Sequence, residues 1–338
     1  MTTFIHPSLE IRTTPDSGRW YFATTPIPQG TLLLSELPFI SVADHLQQYP
    51  NEDSTYNLAF VLLSDRNLIS LTSPVHNLYS TADPAADLLS AAPADVLTLA
   101  ASAGLSHRDF AMLLSRISLN SMDLAYFPER LTFSPYDPSQ ATALFPSAAL
   151  FNHSCHPNAF RYSDGRTLLV RAACDLGPND HVTLSYIPNA VLLEPAAIRH
   201  QYLHGRDFIC HCHLGQSNTA EVEEEQMELD IQTRAELLMM DDADRIDAIN
   251  DLLEEGGFLM GKDELFLLTL LGRTGVASVW KRAMEVVDAR YPAFDFTRVV
   301  VRWWAGEKDQ AKMLAKMWYD MDEIELEQIM KDELVTRC

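Results

Sequence analysis

The sequence predicts an α+β chain in which two β blocks flank a helical insert and an all-α domain follows. Three observations carry this. Short β-prone runs broken by proline and glycine occupy residues 1–42 and 148–187. Residues 55–125 read as mostly helical, with Ala- and Leu-rich segments at 84–104 and 107–119. From about residue 228 onward, apolar residues recur at three- and four-residue spacings among charges. At 338 residues the chain makes one large domain or two smaller ones, each able to bury a core.

In the first β block the strands fall at Leu9–Thr13, Trp20–Thr24 and Leu32–Glu36, separated by Pro15, Gly18, Pro26, Pro28 and Gly30. Residues 84–104 and 107–119 read as the main helical segments of the insert. The proline-bearing stretch 134–148 reads as loop. The second β block holds Ala159–Tyr162, Thr167–Ala172 and His181–Tyr186, with turns at Asp164-Gly165 and Gly177-Pro178. Leu229, Leu237, Leu238, Ile246, Ile249, Leu252 and Leu253 mark a helical face that Gly256-Gly257 ends. Further helices are predicted over 263–272, 276–290 and 306–331, with Pro292 breaking the chain between the last two. Trp303 and Trp304 read as packing for this tail rather than a recognition platform.

Charge narrows the function. The chain carries 25 Lys plus Arg against 47 Asp plus Glu, a formal charge of −22. That argues against a broad nucleic-acid face, which needs clustered cations. Residues 221–264 hold sixteen acids against Arg234, Arg245 and Lys262. The acidic run reads either as a solvated helix face or as an attractor for a basic peptide such as a histone tail, the former being the usual case. An apolar run long enough to span a membrane is missing, and the N-terminus lacks a signal-like stretch. A soluble protein of cytoplasm or nucleus, not secreted, is expected. The cysteines are Cys155, Cys174, Cys210, Cys212 and Cys338. Their odd number argues against a disulfide framework and for free thiols or a metal site.

The chemistry concentrates in three segments. Leu150-Phe-Asn152-His153-Ser154-Cys155-His156-Pro157-Asn158 is followed by Val182-Thr-Leu-Ser-Tyr186 and then by Phe208-Ile-Cys210-His211-Cys212-His213. Each alone has an ordinary reading: a turn, a packed strand end, one arm of a tetrahedral metal site. Their order and spacing together are much harder to dismiss. The chain resembles SET-domain proteins, most closely the SET-and-MYND-type branch found widely in fungi and animals. Gly18-Arg-Trp-Tyr-Phe-Ala-Thr-Thr-Pro-Ile27-Pro-Gln-Gly30 is similar to the family's opening Gly-x-Gly motif and following strand. Residues 143–158 match its central signature, Asp180–Ile187 its catalytic strand, and Arg199–Leu203 with Phe208–Cys212 its post-SET segment. The resemblance covers about residues 8–215 and does not extend to the MYND zinc finger, since residues 40–110 contain no cysteine.

The resemblance implies a SET β-fold of several small sheets. Residues 1–45 and 131–215 supply its two parts, with post-SET segment, 46–130 is the helical insert, and 216–338 the acidic helical domain. It also implies methyl transfer from S-adenosylmethionine to a lysine amine of a protein or peptide. Asn152 and His153 would contact the cofactor, joined by Asn120, Phe208 near the adenine and Arg19 at the methionine end. Tyr186 would be the catalytic tyrosine.

Two positions depart from the family pattern. Trp20 stands where the second glycine belongs, a place where the backbone passes close to the cofactor. The indole either turns away or fills the methionine end. The family's zinc site would draw on Cys155, Cys210 and Cys212, but Gly215 replaces its last cysteine. His213 or His211 could complete a Cys₃His set; otherwise these are three ordinary reduced thiols. A second reading follows from both departures: a SET scaffold that has left methyl transfer and acts as a cyclase, folding a small apolar precursor into a productive conformer. It rests on analogy with old folds recruited in fungal pathways. A third is a catalytically inactive interaction module.

Overall fold

In the computed structural model, which describes residues 3–14, 18–42, 54–65, 68, 73–80, 86–123, 142–163, 167–187, 189–192, 196–204, 210, 231–255, 262–276, 278–291 and 294–335, the β-prone runs build four small sheets. The strands are β1 (Phe4–Ile5), β2 (Leu9–Thr14), β3 (Gly18–Ala23), β4 (Leu32–Glu36), β5 (Ile40–Ser41), β6 (Ser121–Asp123), β7 (Thr142–Leu144), β8 (Asn152–His153), β9 (Ala159–Ser163), β10 (Leu168–Ala172) and β11 (Thr183–Leu184). One sheet has the order β1-β4-β10-β9, another β5-β7-β6, and β2 and β3 form a hairpin. All these pairs are antiparallel; β8 and β11 pair in parallel, with Asn152 beside Thr183 and His153 beside Leu184.

The chain forms two compact units. The first comprises residues 1–153 and 157–184, the second 154–156 and 185–338. The domain boundaries expected from sequence, at 45/46, 130/131 and 215/216, lie outside the described residues.

Two apolar clusters fill the first unit. Tyr21, Ala23, Leu33, Leu34, Phe145, Phe151, Val170 and Leu184 belong to the one beneath the sheets. The other gathers Leu58, Leu62, Phe110, Leu114 and Ile117 of the helical insert with Ile40 and Leu144. Each fully buried side chain of this size contributes roughly 1.5–3 kcal/mol of transfer free energy. The insert's helices are α1 (Ser54–Ser64), α2 (Ala86–Ser90), α3 (Ala94–Ser102) and α4 (His107–Asn120). Ser106 caps α4 by accepting from Asp109 N at 3.2 Å, while its hydroxyl meets Asp109 Oδ2 at 2.6 Å. This sequence-local cap starts the helix that ends on Asn120.

In the second unit, α5 (Asn189–Leu192) and α6 (Ala196–His204) precede the tail helices. These are α7 (Ile231–Met239), α8 (Asp242–Glu255), α9 (Lys262–Arg273), α10 (Val279–Arg290), α11 (Thr297–Trp304), α12 (Lys308–Tyr319) and α13 (Glu323–Val335). Helices α9 and α10 meet closely at Gly272, where a Cβ would collide with the Trp280 ring. Among the described residues no helix is long and apolar enough to cross a membrane.

The fold is the α+β arrangement expected, with local differences that include the break between α7 and α8 in a segment read as one helical face, and α11 where no helix was placed. The stretch expected to be loop contains β7, whose Thr142, Ala143 and Leu144 are all buried between β5 and β6. Burial of every residue erases the alternation that announces a strand. The helix expected over 84–104 is two, with Pro93 at the N-cap of the second, where its missing N–H costs no bond. The helix expected over 306–331 is also two, because Asp320 takes a left-handed conformation (φ 54°) that ends α12.

Candidate functional site

Glu36, at the end of β4, organises the first unit's signature segment. It is buried, and its two carboxylate oxygens accept from Ser147 N and Ala148 N, both at 2.9 Å. Those amides open the short 3₁₀ turn Ala148–Leu150, which leads through Phe151 into Asn152 and His153 of β8. The Phe151 ring packs on Tyr21 with centroids 4.6 Å apart. Burial pushes the Glu36 carboxyl above the ordinary glutamate range, against the lowering effect of the two amide bonds. Burial and the nearby Glu36 charge push the Tyr21 phenol up to about 12. Sequence reasoning passed over Glu36, because its partners lie 111 and 112 residues away.

Asn158, the last residue of the same signature, fixes the partner strand. Its Oδ1 accepts from Thr183 N at 2.8 Å and Thr183 Oγ1 at 3.2 Å, and its Nδ2 donates to His181 O at 2.7 Å. An amide side chain supplies both donor and acceptor from one fork, which neither aspartate nor leucine can do. With β8 paired to β11, the central signature and the strand before Tyr186 are locked into register within this unit.

Two of the expected cofactor residues converge elsewhere in the unit. The Arg19 guanidinium donates to the Asn77 carbonyl. Asn120 is buried, and its Nδ2 donates to Tyr79 O and Arg116 O, each at 2.8 Å. The segment 77–79, just past the 3₁₀ turn Pro74–Asn77, therefore bridges β3 and the end of α4. Helical periodicity in the insert gave no sign of this bridge.

Trp20 lies on the other face of β3. Side chains alternate along a strand, so Trp20 and Phe22 share one face while Arg19, Tyr21 and Ala23 take the opposite one. The indole meets His181 with centroids 4.2 Å apart, and Phe22 meets the same imidazole at 4.2 Å. Arg12 stands over Phe22 at 4.9 Å and donates to Asn179 Oδ1 at 2.8 Å. Packing against these rings lowers the His181 pKa by desolvation, partly opposed by Asp180. Trp20 Nε1 is buried and makes no hydrogen bond.

In the second unit, Cys155 and Cys210 are buried in one apolar cluster with Ile187, Val191, Leu192 and Leu203, and Tyr186 packs against it partly buried. The two sulfur atoms lie within 4.8 Å of each other. Thiolates on one zinc sit about 2.3 Å from the metal, so two sulfurs this close fit one arm of a tetrahedral site with small adjustment. Phe208, His211, Cys212, His213 and Gly215 lie outside the described residues.

The SET domain family model matches residues 18–187, half of the chain. The chain belongs to the SET-domain family. Histone-lysine N-methyltransferase ASHR1 of Arabidopsis thaliana is 35% identical over 75 residues, 22% of this chain and 15% of that protein. N-lysine methyltransferase SMYD2 of Rattus norvegicus is 42% identical over 74 residues, 21% of this chain and 16% of that protein. The chain thus matches only a small part of the length of either relative. Among solved structures, the SET domain of LSMT bound to MeLysine and AdoHcy is similar at a TM-score of 0.39 and 12% identity, over 99% of this chain and 89% of that one.

The Glu36 anchor has a direct test. Glu36→Ala leaves the buried Ala148 N–H and the half-buried Ser147 N–H without their acceptor and is expected to cost about 2–4 kcal/mol, read as a lower denaturation midpoint. An unchanged midpoint contradicts the anchor. A raised folded-state pKa means the native state binds the proton more readily than the unfolded chain. Glu36 therefore contributes a loss of stability as pH rises from the ordinary value of 4.5 through its own higher value. Denaturation across that range should show this component in the native chain and lack it in Glu36→Gln.

Proposed function

We propose that the protein is an S-adenosylmethionine-dependent protein-lysine methyltransferase. Family membership supports the class, as do the names of the two relatives, both lysine methyltransferases. The observation that carries the reading for this chain is the division of β3. Arg19, on one face, reaches the segment that also receives Asn120, while the Trp20 indole is engaged by His181 and Phe22 on the other. This favours a ring turned away from the donor's place over one that fills it.

In this reading Arg19, Asn120, Asn152 and His153 hold the donor, with Phe208 against its adenine. The bound donor supplies a sulfonium methyl group. Transfer breaks the S–CH₃ bond, forms an N–CH₃ bond to a neutral lysine amine, and releases one proton from the nitrogen. An in-line displacement of this kind depends on alignment more than on acid–base assistance, so rigid placement of the residues around the reacting atoms supplies much of the rate. Tyr186 acts as the aligning hydroxyl. The Asn158 clamp and the Glu36 anchor act through other residues, as positioning groups. Substrates are lysine-bearing proteins or peptides of the cytoplasm or nucleus, and the relation to the SET-and-MYND-type branch is part of this reading.

Cys155 and Cys210 fit a structural zinc site, to which Cys212 and a histidine, His213 or His211, would add the remaining ligands. The scaffold-turned-cyclase remains the competing reading, because an indole in place of glycine is the change that would close a donor pocket to its ligand.

Calorimetric titration with S-adenosylmethionine separates the two. The native chain is expected to bind in the micromolar range, and Trp20→Gly to change affinity only modestly. Absence of heat with the native chain, whether or not Trp20→Gly restores it, overturns the methyltransferase reading; restoration favours the repurposed scaffold. For the metal, elemental analysis of the purified protein is expected to find about one zinc per chain. A metal-free, fully folded protein would refute the zinc site.

A further inference from the structure

Within the tail, helices α8, α9 and α10 border a cleft of about 320 Å³. Its apolar lining is Leu253, Leu268, Leu271 and Val279, and its polar lining is Asn250, Glu254, Ser278 and Arg282. Leu268 and Leu271 are nearly inaccessible and belong to the tail's core, so the cleft is a dimple in packed structure rather than a gap between loose helices. The volume stands at the low end of the ~300–1,000 Å³ typical of ligand sites. It suits an anchoring apolar side chain better than a cofactor.

The charge on the α8 side of it is predominantly negative. Helix α8 carries Asp242, Asp244, Asp247, Asp251, Glu254 and Glu255 against Arg245 alone. Asp247, Asp251 and Glu254 recur at four- and three-residue spacing, and Asn250 and Glu254 stand at the cleft itself. Like charges at this spacing destabilise a helix by a few tenths of a kcal/mol per pair. Arg245 does little to relieve this stripe: it donates to the carbonyls of Leu237, Leu238 and Met240, and pairs with Asp242 at 3.0 Å. The cleft's own cation is matched as well, since Arg282 holds Glu264 at 2.6 Å. An apolar recess flanked by uncompensated carboxylates is complementary to an apolar side chain flanked by cations.

From this juxtaposition we infer that the cleft between α8, α9 and α10 docks a basic amphipathic segment of another protein. An apolar side chain enters between Leu253 and Val279 while lysine or arginine residues lie along Asp247, Asp251 and Glu254. The inference goes beyond methyl transfer and stands whether or not the chain binds S-adenosylmethionine.

The test is fluorescence anisotropy with a short labelled leucine–lysine amphipathic peptide and its leucine–glutamate counterpart. The lysine peptide is expected to bind, with affinity falling as salt is raised, and the glutamate peptide is not. Neutralising the stripe with Asp247→Asn, Asp251→Asn and Glu254→Gln together is expected to weaken binding roughly tenfold. Asn250→Lys, which sets a cation at the mouth on an exposed helix position, should weaken it in the same direction. Circular dichroism confirms that both variants keep their helices. Binding that survives both changes, equal binding of the two peptides, or no binding of the lysine peptide overturns the inference. So does self-association of the native chain that Asn250→Lys abolishes, since the occupant would then be a second copy.

Discussion

A carboxylate held away from water against two backbone amides is the constraint on which the first unit turns. Glu36 sits at the end of one strand and receives the N–H groups of Ser147 and Ala148, which open the turn into Asn152 and His153. Burying this group is unfavourable enough that desolvation outweighs both amide bonds in setting its pKa. Such a charge is weak evidence for added stability and better evidence for specified geometry. Shape alone could fill the space; two directed bonds also set where the turn begins. Asn158 then ties the far end of the signature to Thr183 and His181, so the segment is fixed at both ends by side chains rather than by long sheet ladders.

That arrangement gives the β2–β3 hairpin its meaning. A strand offers two faces, and β3 uses them differently: Tyr21 and Ala23 enter the core, while Trp20 and Phe22 gather around the His181 ring. A bulky residue in a glycine position is tolerated sterically wherever its face has room and partners. The buried indole N–H without an acceptor is the cost of this solution, on the order of 1–3 kcal/mol. His181 stays below its ordinary pKa for the same reason, having exchanged water for aromatic neighbours.

Much of the fold was legible because its signals are local. Alternation and turn residues announced Leu32–Glu36, Ala159–Ser163 and Leu168–Ala172 within a residue or so, and apolar spacing announced α4, α9 and α10, but not α11 or the break between α7 and α8. Ordered motifs, not composition, pointed to the SET fold. Buried strands without alternation, such as Thr142–Leu144, left no such signal, and neither did Asp320, an aspartate in a left-handed turn where glycine is the usual marker. Of the site, Cys155 and Cys210 were grouped across 55 positions of chain only by the resemblance to the family's zinc set, and the fold brings their sulfur atoms together. Glu36 and the 77–79 bridge were not, since a carboxylate or a carbonyl becomes functional only through neighbours that the fold supplies.

In the proposed methyltransferase, Arg19, Asn120 and the anchored signature turn are the donor-binding side. Amide hydrogen exchange with and without saturating S-adenosylmethionine tests this assignment most directly. The expected result is slower exchange at the amides of residues 77–79, Asn120 and Asn152–His153, with the helices α11 to α13 unchanged. Unaltered exchange at those positions in a fully folded protein would contradict it.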